Sequence, residues 1–119
     1  MPLEYTTENV PPDITVLKFT GRLIIGREAQ TVEALVRQRV REGGKKLVID
    51  LTGVNYMDSA GVGSLAASAA VVQNEGGALV LAGADGLVLK VLELTQMDRV
   101  LRLYPSVPAA CEALSGPLT

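Results

Sequence analysis

Asp58, Ser59, Gly61 and Gly63 stand together in the stretch NYMDSAGVGSL, residues 55–65. Asp58 and Ser59 are each good N-caps for a helix beginning near residue 59. Capping explains one of them, not both. Each glycine inside a helix costs about 0.5–1 kcal/mol relative to alanine. A sequence keeps such bare backbone where something approaches closely, either the sheet beneath the helix or an outside ligand or partner. Tight packing is one account: Ala60, Gly63, Ala66, Ala67, Ala69 and Ala70 would let the helix lie flush on its strands. Packing leaves the acid and hydroxyl at the helix mouth unexplained. A hydroxyl there is well placed to carry phosphate, because free N–H groups and the positive end of the dipole stabilise an anion. Phosphate adds about −1.5 to −2 charges and three acceptor oxygens. Beside Asp58 it would also be repelled. Such a group is tolerated in its own chain yet breaks an interface that had accepted a neutral serine.

Other chemistries fit the same residues less well. GVGSLA, residues 61–66, matches G-x-G-x-x-A, and Asp85 follows at the spacing of a dinucleotide fingerprint. The first glycine of that fingerprint should directly follow its strand, whereas a loop over 52–57 is expected to intervene. No G-x-x-x-x-G-K-[ST] phosphate loop occurs. Asp50 and Asp58 form a possible carboxylate pair, but nothing else in the chain resembles substrate-binding equipment. The chain has no histidine. That removes Ser-His-Asp and Cys-His catalysis and argues against a transition-metal site. The reading is therefore no catalytic residue, no metal and no cofactor.

The 119 residues fit one domain over 1–119, with 115–119 a loose tail. A net charge of −2 lacks the footprint of nucleic-acid or polybasic membrane binding, and one Phe, three Tyr and no Trp make a poor stacking platform. The one cysteine, Cys111, forms no internal disulfide and reads as a small core residue in a reducing, cytoplasmic setting. The first ten residues have neither a basic nor an apolar region of a signal peptide, and no apolar run is long enough to span a bilayer.

Strands are expected at Leu3–Glu8, Ile14–Thr20, Leu47–Leu51, Ala78–Ala82 and Val100–Leu103, with Gly21 ending the second and Leu23 to Ile25 open to continuing in extended form. Helices are expected over 27–42, 59–74, 86–97 and 105–114. The first carries Ala29, Val32, Leu35, Val36 and Val40 on one face, an i,i+4 pair of Glu33 and Arg37, and Arg37, Arg39 and Arg41 on a solvated or partner-binding face. The third turns Leu87, Val91 and Leu94 inward and Lys90 and Glu93 outward. Alternation of strands and helices predicts an α/β domain, with a mixed, mostly parallel sheet of about four to five strands and about four helices.

LVIDLTGVNYMDSAGVGSL resembles the signature of the STAS domain of bacterial anti-sigma factor antagonists, in which M-D-S-[ST]-G-[LV]-G opens a helix after a strand ending in D-L. TGRL at 20–23, GGALVL at 76–81 and YPSVPAACEAL at 104–114 resemble further family elements in the same order. The resemblance implies a regulatory protein that binds an anti-sigma factor, itself a serine kinase of the histidine-kinase-like ATPase type, and so frees the sigma factor. It implies phosphorylation at Ser59, which breaks the complex, and a PP2C-type phosphatase that restores it. Asp58, Ser59, Ala60, Gly61, Val62 and Gly63 would form the switch and docking segment. Monomer and weak dimer both remain open. The alternative the family offers is a constitutive scaffold or transporter-associated subunit with no phosphoswitch. Two departures stand out. Ala60 replaces a second Ser or Thr, and Arg22, Ile24 and Ile25 occupy a region where relatives place acidic and polar residues.

Overall fold

The computed structural model describes residues 3–116. Five strands form one sheet in the order β1-β2-β3-β4-β5. They are β1 (Glu4–Val10), β2 (Ile14–Leu23), β3 (Lys46–Met57), β4 (Ala78–Ala82) and β5 (Leu103–Tyr104). β1 and β2 are an antiparallel hairpin joined at Pro11-Pro12-Asp13; every later pairing is parallel. The helices α1 (Arg27–Arg41), α2 (Ser59–Asn74) and α3 (Gly86–Leu94) connect successive parallel strands, as parallel pairing requires. A short 3₁₀ turn (Met97–Arg99) follows α3, and α4 (Val107–Leu114) closes the chain. The sheet is mixed and mostly parallel, as its pattern predicted.

Alternation along the strands divides the core into two layers. Leu17 and Phe19 of β2, Leu47 and Ile49 of β3, and Leu79 and Leu81 of β4 meet Val32 and Val36 of α1, Leu65 and Val72 of α2, and Val88 and Leu92 of α3. Val16, Val48, Val80 and Ala82 point to the other face, against Ala110 and Leu114 of α4. Cys111 packs half-buried on that layer, where burial and the charge of Glu8 push its thiol pKa up. Inside α2, the Ser68 hydroxyl is buried and has no hydrogen-bond partner among the described residues. Ser68→Ala is expected to stabilise the fold by about 1 kcal/mol in urea melts, since it deletes an unsatisfied polar group.

Several boundaries differ from expectation. Gly21 does not end β2, and 52–57 is no loop. Beyond Asp50, β3 runs on as far as Met57, paired with Thr20 to Leu23 of β2 across two register shifts. The apolar Val54 and Met57, spaced three apart, are both buried, so this stretch lacks the simple two-residue period of a strand. The third helix stops at Leu94 instead of Met97, and only part of its expected inner face turns inward: Val91 packs half-buried on the core and Lys90 and Glu93 point out, as expected. Val88 and Leu92 are buried, while Leu87 and Leu94 are exposed. Almost every residue of that helix is apolar, so periodicity alone does not choose its inner face. The last strand is Leu103–Tyr104, not 100–103, and α4 begins at Val107 behind a Ser106 cap.

Of the α1 arginines, Arg37 and Arg41 are exposed, as expected, and Arg39 is not simply solvated. Arg39 donates through Nη2 to Thr15 Oγ1 at 2.9 Å and through Nη1 to Glu42 at 2.8 Å. Among the described residues Glu33 and Arg37 form no ion pair; the pairs present are Arg39 with Glu42 and Lys46 with Asp13. Of the expected loose tail, 117–119 lies outside the described residues. The Gly116 carbonyl accepts from the buried Lys46 Nζ.

Candidate functional site

β4 ends at Ala82, level with Asp50 of β3. Past that point β3 is paired with β2 alone, and this two-stranded ribbon carries the chain to the mouth of α2. Asp58 is the N-cap in extended conformation (φ −103°, ψ −175°), and Ser59 is the first helical residue. The Asp58 carboxylate is used on both sides. Oδ1 accepts from the Gly61 N–H at 2.9 Å, which is the cap itself. Oδ2 accepts from the Ile25 N–H at 3.0 Å, thirty-three residues earlier in the chain. The Asp58 N–H donates to the Leu23 carbonyl at 3.3 Å. One residue thus fastens the β2–α1 loop to the helix that bears the serine.

Partial burial pushes the Asp58 carboxyl up, but the N–H groups of Gly61, Ile25 and Ala60 outweigh it and hold its pKa below the ordinary value. A folded pKa below the unfolded one means that ionised Asp58 stabilises the fold fully above the unfolded carboxylate range, near pH 4, and that this contribution is lost as pH falls through the folded value. Asp58→Asn keeps one acceptor and turns an amide toward the Ile25 N–H. It is expected to cost about 1 kcal/mol at neutral pH and to speed exchange of the Ile25 amide. The gap between the two proteins in urea melts should narrow as pH drops below about 4. A gap that stayed constant with pH would show that Asp58 acts without its charge.

The two glycines do different work. Gly61 is buried against the end of β2: a Cβ there would sit on the Leu23 carbonyl oxygen and lie 2.9 Å from Met57 Cγ and 3.0 Å from Leu23 Cγ. Gly63 is exposed, and a Cβ there would meet nothing within 4 Å. Gly61 therefore serves packing, and Gly63 leaves bare backbone facing solvent beside Ser59. Val62 is buried, Ala60 is half-buried, and Ala70, expected on the packing face, is exposed. Ser59 itself is exposed, and its hydroxyl makes no hydrogen bond among the described residues. Ile25, whose N–H Asp58 holds, is 74% exposed, and on the same β2–β3 ribbon the Arg22 guanidinium lies 4.9 Å from the Tyr56 ring.

The sequence-predicted segment from Asp58 to Gly63 is thus brought together. Asp50 is not part of it. Its Oδ1 accepts from the Thr52 N–H at 2.9 Å and the Thr52 hydroxyl at 2.6 Å, and it lies on the sheet face of Val48 and α4. No carboxylate pair forms there. The ground for setting aside dinucleotide binding also changes. Only Asp58 separates β3 from α2, but Gly61 and Gly63 lie inside the helix rather than in a turn before it. The part of Leu23, whose carbonyl anchors Asp58 and bars any side chain at Gly61, left no signal in the sequence, because it is a backbone contribution. Among the described residues there is no cluster of three or more metal-ligating side chains, and no helix is long and apolar enough to cross a membrane.

The STAS domain model matches residues 5–110. A candidate anti-sigma factor antagonist of Thermotoga neapolitana, a TM1081 homolog, is 27% identical over 77 residues, covering 65% of this chain and 68% of that protein. The crystal structure of the candidate anti-sigma factor antagonist TM1081 of Thermotoga maritima superposes with a TM-score of 0.86 at 24% identity, over 94% of this chain and 95% of that one. SpoIIAA of Bacillus in its phosphorylated form gives 0.71 at 16% identity, over 92% and 98%. A sulfate transporter family protein of Wolinella succinogenes gives 0.78 at 17% identity, over 90% and 88%.

Proposed function

This chain belongs to the STAS domain family, and from that premise we propose that it is a non-enzymatic anti-sigma factor antagonist whose docking is switched at Ser59. The observation that carries the reading is the exposed, unbonded Ser59 hydroxyl on the first turn of α2, beside a carboxylate already committed to two backbone N–H groups. With Ser59 free, the mouth of α2 is neutral apart from Asp58, and Gly63 lets a partner come against the helix backbone. The partner is an anti-sigma factor that is also a serine kinase of the histidine-kinase-like ATPase type; its capture frees the sigma factor. In the switching step Ser59 Oγ attacks the γ-phosphorus of ATP, the bond to the β–γ bridging oxygen breaks, ADP leaves, and the hydroxyl proton passes to a base on the kinase. The phosphate then meets Asp58 at close range. Asp58 cannot swing away without releasing Gly61 and Ile25, so the added charge faces outward into the interface and docking fails. A PP2C-type phosphatase resets the serine by hydrolysis. The chain works in the cytoplasm, where these partners are found.

That a relative of the same fold has been solved in a phosphorylated form supports this reading. The second reading is a constitutive STAS subunit of a transporter, favoured by the likeness to the sulfate transporter family protein; Ser59 would then only open a helix. Immobilised wild-type chain and Ser59→Asp, exposed to a lysate of the source organism, separate the two. A histidine-kinase-like ATPase retained by wild type and lost by Ser59→Asp is the expected result. A permease held equally by both would overturn the switch.

A further inference from the structure

The two edges of the sheet are unlike. β5 is two residues long, and so short a strand offers little to pair with. β1 has seven residues, and Glu4 to Asn9 are all exposed. Sheet edges are commonly blunted by bulges, prolines or lysines. β1 holds no proline or lysine, and it pairs with β2 in unbroken register. In an antiparallel pair, alternate N–H and C=O groups of an edge strand point away from its neighbour. The side chains of β1 divide by face. Tyr5 lies on one, 49% exposed and tilted against Phe19 with ring centroids 6.4 Å apart. Glu4, Thr6 and Glu8 lie on the other, and the two glutamates are the only charges of the strand. Lys18 stands opposite Thr6 on that face, yet among the described residues it ion-pairs with neither glutamate.

We propose that β1 accepts an added strand from a partner protein, an extended segment with basic residues four positions apart. In strand addition the backbone supplies the hydrogen bonds and the facing side chains supply the choice of partner. Directly opposed residues of paired strands share a face. The residues opposite Glu4 and Glu8 are thus four apart on the incoming segment, and lysine or arginine there meets two carboxylates that have no cation of their own. Residues opposite Tyr5 and Thr7 are best apolar or β-branched. Pro11 and Pro12 follow the strand, so the incoming segment is about six or seven residues, roughly 20 Å long. A second copy of this chain is disfavoured by the same charges. Antiparallel pairing of β1 with itself about a two-fold axis puts four glutamates on one face of the joined sheet, and like charges opposed across strands are destabilising. β2 lies between this edge and β3, the strand that leads to Ser59, so the surface is additional to the switch.

Titration of a capped heptapeptide, Thr-Lys-Val-Thr-Val-Lys-Thr, into the isotope-labelled full chain tests this by NMR. The amide signals of Glu4 to Asn9 should shift and their hydrogen exchange should slow, while those of Ser59 and its neighbours stay still. Ser59→Asp should bind the peptide as wild type does, so failure of the switch would leave this result standing. With glutamate in place of both lysines, the peptide should bind at least roughly tenfold more weakly. A chain carrying Glu4→Lys and Glu8→Lys, both exposed sites, should reverse that preference, which separates charge pairing from loss of fold. The lysine peptide N-methylated throughout keeps its charge but loses its backbone donors, and it should not bind. Equal binding of the methylated peptide would reduce the effect to charge attraction and overturn the inference. So would an absence of shifts along β1, or shifts there on concentrating the chain without peptide, which would give the edge to a second copy.

Discussion

Alanine at Gly61 is expected to destabilise the fold by about 3 kcal/mol, the upper end of the cost of overpacking, and to lower the melting temperature by roughly 10–15 °C for a domain of this size. The added carbon has no place to go. It meets a backbone carbonyl, that of Leu23, with Met57 Cγ and Leu23 Cγ close behind. Relief would require α2 to lift from the ribbon, and lifting it draws Asp58 off the Ile25 N–H and the Leu23 carbonyl. Gly63→Ala is the control on the same helix. Its Cβ enters open space, so the fold should gain about 0.5–1 kcal/mol from better helix propensity, while docking on the kinase weakens. Thermal melts and binding measured on the two variants should give opposite orders. A Gly61→Ala chain that melted with wild type would show that the helix mouth yields more readily than its contacts indicate.

The second large effect is on affinity. Ser59→Asp should bind the captured kinase about 100-fold more weakly, close to 2.7 kcal/mol, because it sets a second carboxylate beside one that cannot move, and like charges held at an interface cost several kcal/mol. Ser59→Ala removes a hydroxyl with no partner among the described residues and so should bind as wild type while accepting no phosphate from the kinase and ATP. Titration calorimetry with the purified kinase measures both. Equal affinity of the two variants would reduce Ser59 to the first residue of a helix.

Much of this site was legible in the chain, and the reasons are local. Asp58 as cap and Ser59 at the first helical position follow from the chemistry of helix ends, and Gly76-Gly77 mark where α2 gives way to β4. The division of labour between Gly61 and Gly63 was not legible. Both break a helix equally in one dimension, and only the position of Leu23 tells them apart. The overhang of β3 escaped for a related reason. Its residues are polar or small on one side and are held by β2 alone, so the apolar signal fades where pairing to β4 stops. The inner face of α3 was misread in part, because Leu87 and Leu94 satisfy a helical period with Val91 as well as Val88 and Leu92 do, yet only Val91 of those three packs on the core. Burial is decided by which row meets β3, a matter of tertiary geometry that no single-helix pattern contains.

The ribbon formed by the ends of β2 and β3 carries a consequence for how such a chain changes over time. Ser59 and its neighbours sit where the sheet has narrowed to two strands, while the bulk of the apolar core lies around the broader part. Substitutions at the exposed rim, Arg22, Ile25 and Tyr56 among them, remove little buried area and cost the fold little. The rim can therefore drift from acidic to basic or apolar, and with it, under the proposed function, the choice of partner, while the serine, its carboxylate and the glycine beneath them stay fixed. Duplicated copies of such a gene would diverge into insulated signalling channels by repainting one small edge.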